Sequence, residues 1–323
     1  MEYLDTAGLR HLWGRIRTAL CDKQDRLAGT PGQTIGFDAA GEAVAQIGWS
    51  NPNLLDNWYF ADPIDQRGKG GYTGQGYGID RWSGGTYTLR KGHLELSEGM
   101  MCQRCQYGTF LVGKTVTFSV LRSDGRLAVH TFKVPPKNMD SVGSEGVTLA
   151  AGLDAAHGDM ISVGIGLSGS GPAGLIAAKL ELGSVQTLAC QDGAGSWVLS
   201  DPPPNKLQEL AKCQRYQVVF GYRKTTFTNA TYIGTGYAID GTMARFFIDT
   251  PVPLHTKPAV IVDGFCVTNG LKRASIDSAG VLWIPTQDKT GVQVNYSGGS
   301  FATGEILFLE SYDNSRFILD ANL

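Results

Sequence analysis

Aromatic and acidic side chains crowd together between positions 58 and 87 of this sequence. Trp58, Tyr59, Phe60, Tyr72, Tyr77, Trp82 and Tyr87 are interleaved there with Asp56, Asp65, Arg67, Asp80 and Arg81. Flat rings flanked by acids and amides are the usual means of gripping a sugar, since the apolar ring face stacks while polar groups take the hydroxyls. The same rings also suit the core of a β-sandwich, and most of them are expected there. Trp58, Tyr59, Tyr72, Tyr77, Asp80 and Trp82 are the candidate carbohydrate-binding residues.

Other patterns that could do chemistry fail on context. Gly164-Ile-Gly166-Leu-Ser-Gly169 matches a dinucleotide fingerprint and follows an apolar strand. Pro172 and a strand-like run come next, so no helix N-terminus is available to cradle a pyrophosphate. A glycine-rich segment between strands is the better reading. Ser168 and Ser170 lack the glycine spacing of a nucleophile elbow. Cys102 and Cys105 form a lone CxxC among six cysteines, with no second ligand pair at zinc spacing and no βαβ unit, so free thiols are expected. The five histidines stand apart from one another. No catalytic constellation, metal site or cofactor is expected, and the chain reads as a binding protein and not an enzyme.

Charged residues make up 18% of the chain, against roughly 25% in ordinary soluble domains. Glycine, at 43 of 323 residues, is nearly twice its usual share. Small polar residues and glycine in place of charge fit many short strands and turns. A net charge of −2 offers no field for nucleic acid. No apolar run approaches the ~20 residues needed to span a bilayer, so no membrane insertion is expected. Met1-Glu-Tyr-Leu-Asp5 lacks the layout of a secretion signal, so synthesis in a cytoplasm is expected.

The elements that must position these residues are mainly β. Leu9, Trp13, Ile16, Leu20 and Leu27, with Lys23 as one polar interruption, trace a heptad seam over 5–27. Self-association through that seam is favoured over docking of a single amphipathic helix on a domain, because three heptads alone are marginal. Residues 28–50 read as a glycine-rich connector with a hairpin around Asp38-Ala-Ala-Gly41. From 51 to 190 short alternating strands recur, among them 115–120, 127–132, 147–149, 160–163 and 175–182, as in a sandwich or jelly roll. A Gly/Pro linker follows at 191–204, ending in Pro202-Pro-Pro204. Asn205 is placed to cap a short helix leading a second β domain over 205–323, expected as a second sandwich or jelly roll in tandem with the first. Tyr72-Thr-Gly-Gln-Gly-Tyr77-Gly-Ile-Asp80 is echoed by Tyr232-Ile-Gly-Thr-Gly-Tyr237-Ala-Ile-Asp240, which reads as shared turn chemistry.

Several stretches, in order, resemble one family. MEYLDTAGLRHLWGRIRTALCDKQDRL with GTPGQTIGFDAAGEAVAQ resembles the N-terminal segments of tail-fibre, receptor-binding proteins of phages and prophages infecting Gram-positive gut bacteria. NLLDNWYFADPIDQRGKGGYTGQGYGIDRW resembles the opening of their carbohydrate-binding-like sandwich, and AAKLELGSVQTLA its closing strand. PPPNKLQELAKCQRYQVVFG and FFIDTPVPLHTKPAVIVDG resemble the start of their C-terminal β domain. The resemblance carries no functional residue onto this chain. It implies a homotrimer in the virion tail, an N-terminal region that joins other tail or baseplate proteins, and β domains that meet a host cell-surface glycan. Gly8 and Gly14 inside a short helical segment depart from a long shaft and point to a compact tip. A tail-associated polysaccharide-degrading enzyme and a purely structural connector remain the rivals.

Overall fold

Val116, Phe118 and Val120 alternate along one strand and are fully buried, with Val116 opposite Phe132 and Val120 opposite Ala128 on the neighbouring strand. That two-residue period, repeated, builds most of the chain. A computed structural model describes residues 10–18, 33–37, 43–47, 50–106, 108–135, 138–154, 160–192, 195–221, 231–286 and 289–322. The fold is mainly β. No helix among the described residues is long and apolar enough to cross a membrane.

A first helix, α1, covers residues 10–18, and every side chain on it is exposed. Trp13 and Ile16 of the expected seam, with Leu12 beside them, are therefore exposed. Leu9, Leu20 and Leu27 lie outside the described residues. The expected hairpin is present: β1 (Gln33–Phe37) pairs antiparallel with β2 (Ala43–Ile47), with Phe37 in register with Ala43.

Two facing sheets follow. Their elements are β3 (Gly71–Tyr72), β4 (Thr86–Arg90), β5 (His93–Glu98), β6 (Met100–Cys105), α2 (Gly108–Leu111), β7 (Thr115–Arg122), β8 (Leu127–Lys133), β9 (Asn138–Ser144), β10 (Val147–Leu153), β11 (Ile161–Leu167) and β12 (Ala173–Leu182). One sheet runs β3-β4-β5-β12-β7-β8 and the other β6-β11-β10-β9. Together they enclose one apolar cluster that includes Phe60, Trp82, Phe118, Leu149, Ile165 and Leu180. Gly164 and Gly166 of the fingerprint-like run lie on β11, where a Cβ on Gly164 would come 2.5 Å from Met100 Sδ, so they serve close strand packing, and Gly169 lies past the end of the strand. Cys102 and Cys105 are free and three residues apart on β6, which sends their side chains to opposite faces.

The expected linker is less detached than its glycines and prolines suggest. β13 (Ala189–Gln191) and β14 (Trp197–Leu199) form a hairpin, and Trp197 and Leu199 pack against the sandwich cluster. Asp201 then reaches Lys179, whose side chain is completely buried, at 2.8 Å, with Ser50 Oγ as a second partner of the ammonium. An ammonium removed from water needs its counter-ion more than the pair needs to exist.

The C-terminal strands close on themselves, where the sequence reading expected a second sandwich or jelly roll. α3 (Lys206–Gln214) is capped by Asn205, whose side chain accepts from the Leu207 and Gln208 amides. It leads into β15 (Gln217–Gly221), β16 (Thr231–Ala238), β17 (Met243–Asp249), β18 (Ala259–Thr268), β19 (Arg273–Thr286), β20 (Lys289–Ser297) and β21 (Ile306–Asp320). The order β15-β21-β16-β17-β20-β19-β18, with β18 also paired to β21, makes a six-stranded antiparallel barrel around a second apolar cluster. β21 closes it because it is long: its first half pairs with β16 and its second with β15, while β18 follows both halves across a bulge at Gly264.

Removing the counter-ion of Lys179 tests this buried pair. Asp201→Ala is expected to cost about 3 kcal/mol, and adding Lys179→Met is expected to recover most of the loss. Urea unfolding of wild type and both variants measures this, and equal losses in the single and double variants would contradict it.

Candidate functional site

The segment from Asp56 to Trp82 folds around Asn57, and its polar groups are used internally or turned toward the C-terminal part of the chain. The Asn57 side chain donates to the carbonyls of Ile64 and Asp80 and accepts from the Ile64 amide. The Asn57 backbone carbonyl accepts from Trp82 Nε1 at 3.0 Å, and its backbone N–H donates to Glu209 Oε1 on α3 at 2.5 Å. Asn57 and Arg81 both hold positive φ, at 50° and 71°, a conformation that costs a residue with a side chain and needs surrounding contacts to persist.

Gln66 and Arg81 complete the junction. Gln66 Nε2 donates to Asp80 Oδ2 at 2.6 Å and to the Gln217 carbonyl on β15 at 2.9 Å. Arg81 pairs with Asp56 at 3.1 Å, donates to Asn322 near the C-terminus, and lies 3.4 Å over the Tyr216 ring. Arg67 sits 3.8 Å from Asp320 at the end of β21. Sandwich, α3, β15 and the C-terminal residues thus share one set of partly buried polar contacts.

This arrangement decides where the six candidate sugar-binding residues stand. Trp58, Asp80 and Trp82 are buried, Asp80 and Trp82 completely, and have no face to offer a ligand. For them the sandwich-core alternative prevails, because the rings fill the sandwich and the acid orders the junction. Tyr59, Tyr72 and Tyr77 are half-buried. The Tyr72 hydroxyl is engaged by Asp65, and its ring meets Tyr87 at 5.5 Å. Tyr77 packs beneath Arg67. Gly78 is obligatory between them, because a Cβ there would overlap the Tyr87 hydroxyl.

Burial raises Asp80 from 3.8 to about 7, opposed by its Gln66 hydrogen bonds and by Arg67 and reinforced by Asp65. A folded form that keeps its proton up to about 7 binds more protons than the unfolded chain above 3.8. The contribution of Asp80 to stability is therefore full below the unfolded value and is lost as pH rises through the folded one.

A cluster of aromatic side chains that solvent reaches lies on the barrel. On β16, β17 and β21 the outward positions are Tyr232, Thr235 and Tyr237, then Phe247 and Asp249, then Ile306 and Phe308. Cross-strand register sets Thr235 between Phe247 and Phe308, and Tyr237 beside Ile306. Tyr232 is 54% exposed and Ile306 64%, and the Tyr232 and Phe308 rings stand 5.3 Å apart. Asp249 and Lys289 pair at 3.4 Å along one rim. Gly236 permits the strand pairing, since a Cβ on it would collide with the Arg245 carbonyl. The two halves of the sequence echo therefore differ: 72–80 is mostly loop, whereas 232–237 lies within β16, across a register shift between Tyr232 and Gly234, and displays its tyrosines. That second tyrosine pair was the sequence signal for this face, and the denser aromatic cluster at 58–87 drew attention from it.

Among the described residues no three His, Cys, Asp or Glu side chains gather as metal ligands. No protein-family model, curated protein or solved structure matches this chain.

Replacing the buried acid tests the pH linkage. Between pH 5 and 8 the wild-type melting temperature is expected to fall more steeply than that of Asp80→Asn, which gains on wild type as pH rises. Parallel melting curves across that range would contradict the linkage.

Proposed function

We propose that this chain is an attachment subunit of a phage or prophage tail fibre and grips host cell-surface polysaccharide with the aromatic face of its barrel. The observation that carries this reading is the solvent-facing set Tyr232, Tyr237, Phe247 and Phe308, arranged across three adjacent strands. Aromatic faces rimmed by a carboxylate, an ammonium and a hydroxyl suit sugar rings, which present apolar faces and polar edges at once. The ordered sequence resemblance supports the same role on independent grounds.

The reading includes a homotrimer of tandem β domains, held in part by a coiled coil of the N-terminal helix. That helix joins other tail or baseplate proteins, and the barrel works at the host surface as part of the virion tail. The exposure of Leu12, Trp13 and Ile16 supports the coiled coil, because a helix this short gains stability mainly by covering its apolar stripe. Three weak sites on one assembly gain avidity of the order of 10²–10⁴ without any new contact. A structural connector is the second reading, favoured by the same face, since exposed apolar sheet also marks contacts between proteins.

Two measurements test the proposal. Purified full-length protein is expected to bind host cells and their isolated wall polysaccharide, with Tyr237→Ala and Phe247→Ala each weakening binding about tenfold, a loss near 1.4 kcal/mol. Absence of wild-type binding would favour the connector, and release of oligosaccharide from the polymer would favour the degrading enzyme. Light scattering is expected to give three chains for wild type and one for the Trp13→Asp, Ile16→Asp double variant. A single chain for wild type would remove the trimer.

A further inference from the structure

A cleft opens where the sandwich, α3 and the barrel loop 252–255 meet. It consists of two adjoining hollows, of 210 and 670 Å³, that share Lys212 and Arg215 on their walls. These cations stand three residues apart and so fall on one side of the helix end. Cations at a helix C-terminus are ordinarily explained by the macrodipole. That accounts for a positive charge at Arg215, and it assigns no partner among the described residues to the guanidinium donors.

The surrounding acids are already satisfied. Asp56 is held by Arg81 at 3.1 Å, and Glu209 accepts from the Asn57 amide at 2.5 Å and from Lys212 at 3.1 Å. The Arg215 side chain, exposed at the mouth, donates to no other described residue. Charges nearest the cleft are Arg81, Lys212 and Arg215 against Asp56 and Glu209, an excess of one positive charge before His255 is counted. Cys105 adds no negative charge, because burial pushes its thiol up to about 12.

Neutral polar side chains, engaged with one another, and an apolar wall complete the cleft. The Tyr216 hydroxyl donates to Gln106 Oε1 at 2.8 Å, which turns the Gln106 amide nitrogen toward His255, 2.6 Å from its Nε2. Val252, Pro253 and Leu254 form the opposite wall. A group that fills the cleft meets a guanidinium, a second cation and an apolar side suited to a sugar ring.

We infer that this cleft takes the acidic group, carboxylate or phosphate, of a saccharide unit, at a subsite separate from the aromatic face of the barrel. The inference rests on the polysaccharide reading and narrows it to an acidic polymer. Arg215 is the expected principal ligand, since its planar fork suits bidentate contact with either group.

Saturation-transfer and chemical-shift titrations of the full-length protein test it, with glucuronic acid and glycerol phosphate as probes and glucose and glycerol as neutral controls. The acidic probes are expected to bind at least about tenfold more tightly than the controls, and less tightly as salt rises. Arg215→Gln is expected to remove about tenfold of that preference, and Arg215→Lys to retain part of it. Equal binding of acidic and neutral probes, or indifference to Arg215→Gln in a protein with unaltered melting temperature, would overturn the inference. Host-cell binding is scored in parallel. Cells bound without any acidic preference defeat this subsite alone, whereas no binding to cells defeats the attachment reading.

Discussion

Asn57, Gln66 and Arg81 leave the sandwich with polar groups that the C-terminal part of the chain satisfies, and this demand for partners shapes the rest of the molecule. The Asn57 amide reaches Glu209, the Gln66 amide reaches the β15 backbone, and Arg81 reaches Asn322 and the Tyr216 ring. A buried polar group left without a partner costs about 1–3 kcal/mol, more when it is charged. Several such groups converge here, and two of the residues that carry them hold left-handed backbone. Their strain is tolerated because contacts from both sides over-determine it.

That junction also determines which aromatics remain available. Trp58, Phe60 and Trp82 are buried in the sandwich, and Asp80 is committed to orienting Gln66. A sugar-gripping pattern in the sequence thus becomes packing and fastening in three dimensions. The barrel, by contrast, closes through β18 and β21 and leaves no free edge along that seam, so its outward residues are free to serve a surface role. Glycines in β16 let the strand approach its neighbours closely, and the tyrosines on either side of them point away from the core.

The strands were legible because a period of two in apolar residues is a local signal, and the 33–47 hairpin and the Asn205 cap were legible for the same reason. Barrel closure was not, because it depends on β21 running for 15 residues past three different partners, β16, β15 and β18. Register of that kind is a long-range property. The candidate site was read only in its chemistry. Aromatic and acidic residues at close spacing look alike whether they grip a ligand or fasten two parts of a fold. The repeated tyrosine pair at 232 and 237 carried the better clue, but sequence spacing alone could not distinguish an exposed strand from a turn. Trp197 and Leu199 made the same point in the opposite direction, since glycines and prolines around them suggested a free linker and their side chains dock on the sandwich.

Hydrogen–deuterium exchange on the full-length protein, with and without host wall polysaccharide, tests the central claim most directly. The account predicts added protection on β16, β17 and the first half of β21, with the segment from Asp56 to Trp82 unchanged because its aromatic and acidic side chains are largely buried or engaged within the protein. Protection concentrated in that segment, or no protection on the barrel face at saturating polysaccharide, would contradict it.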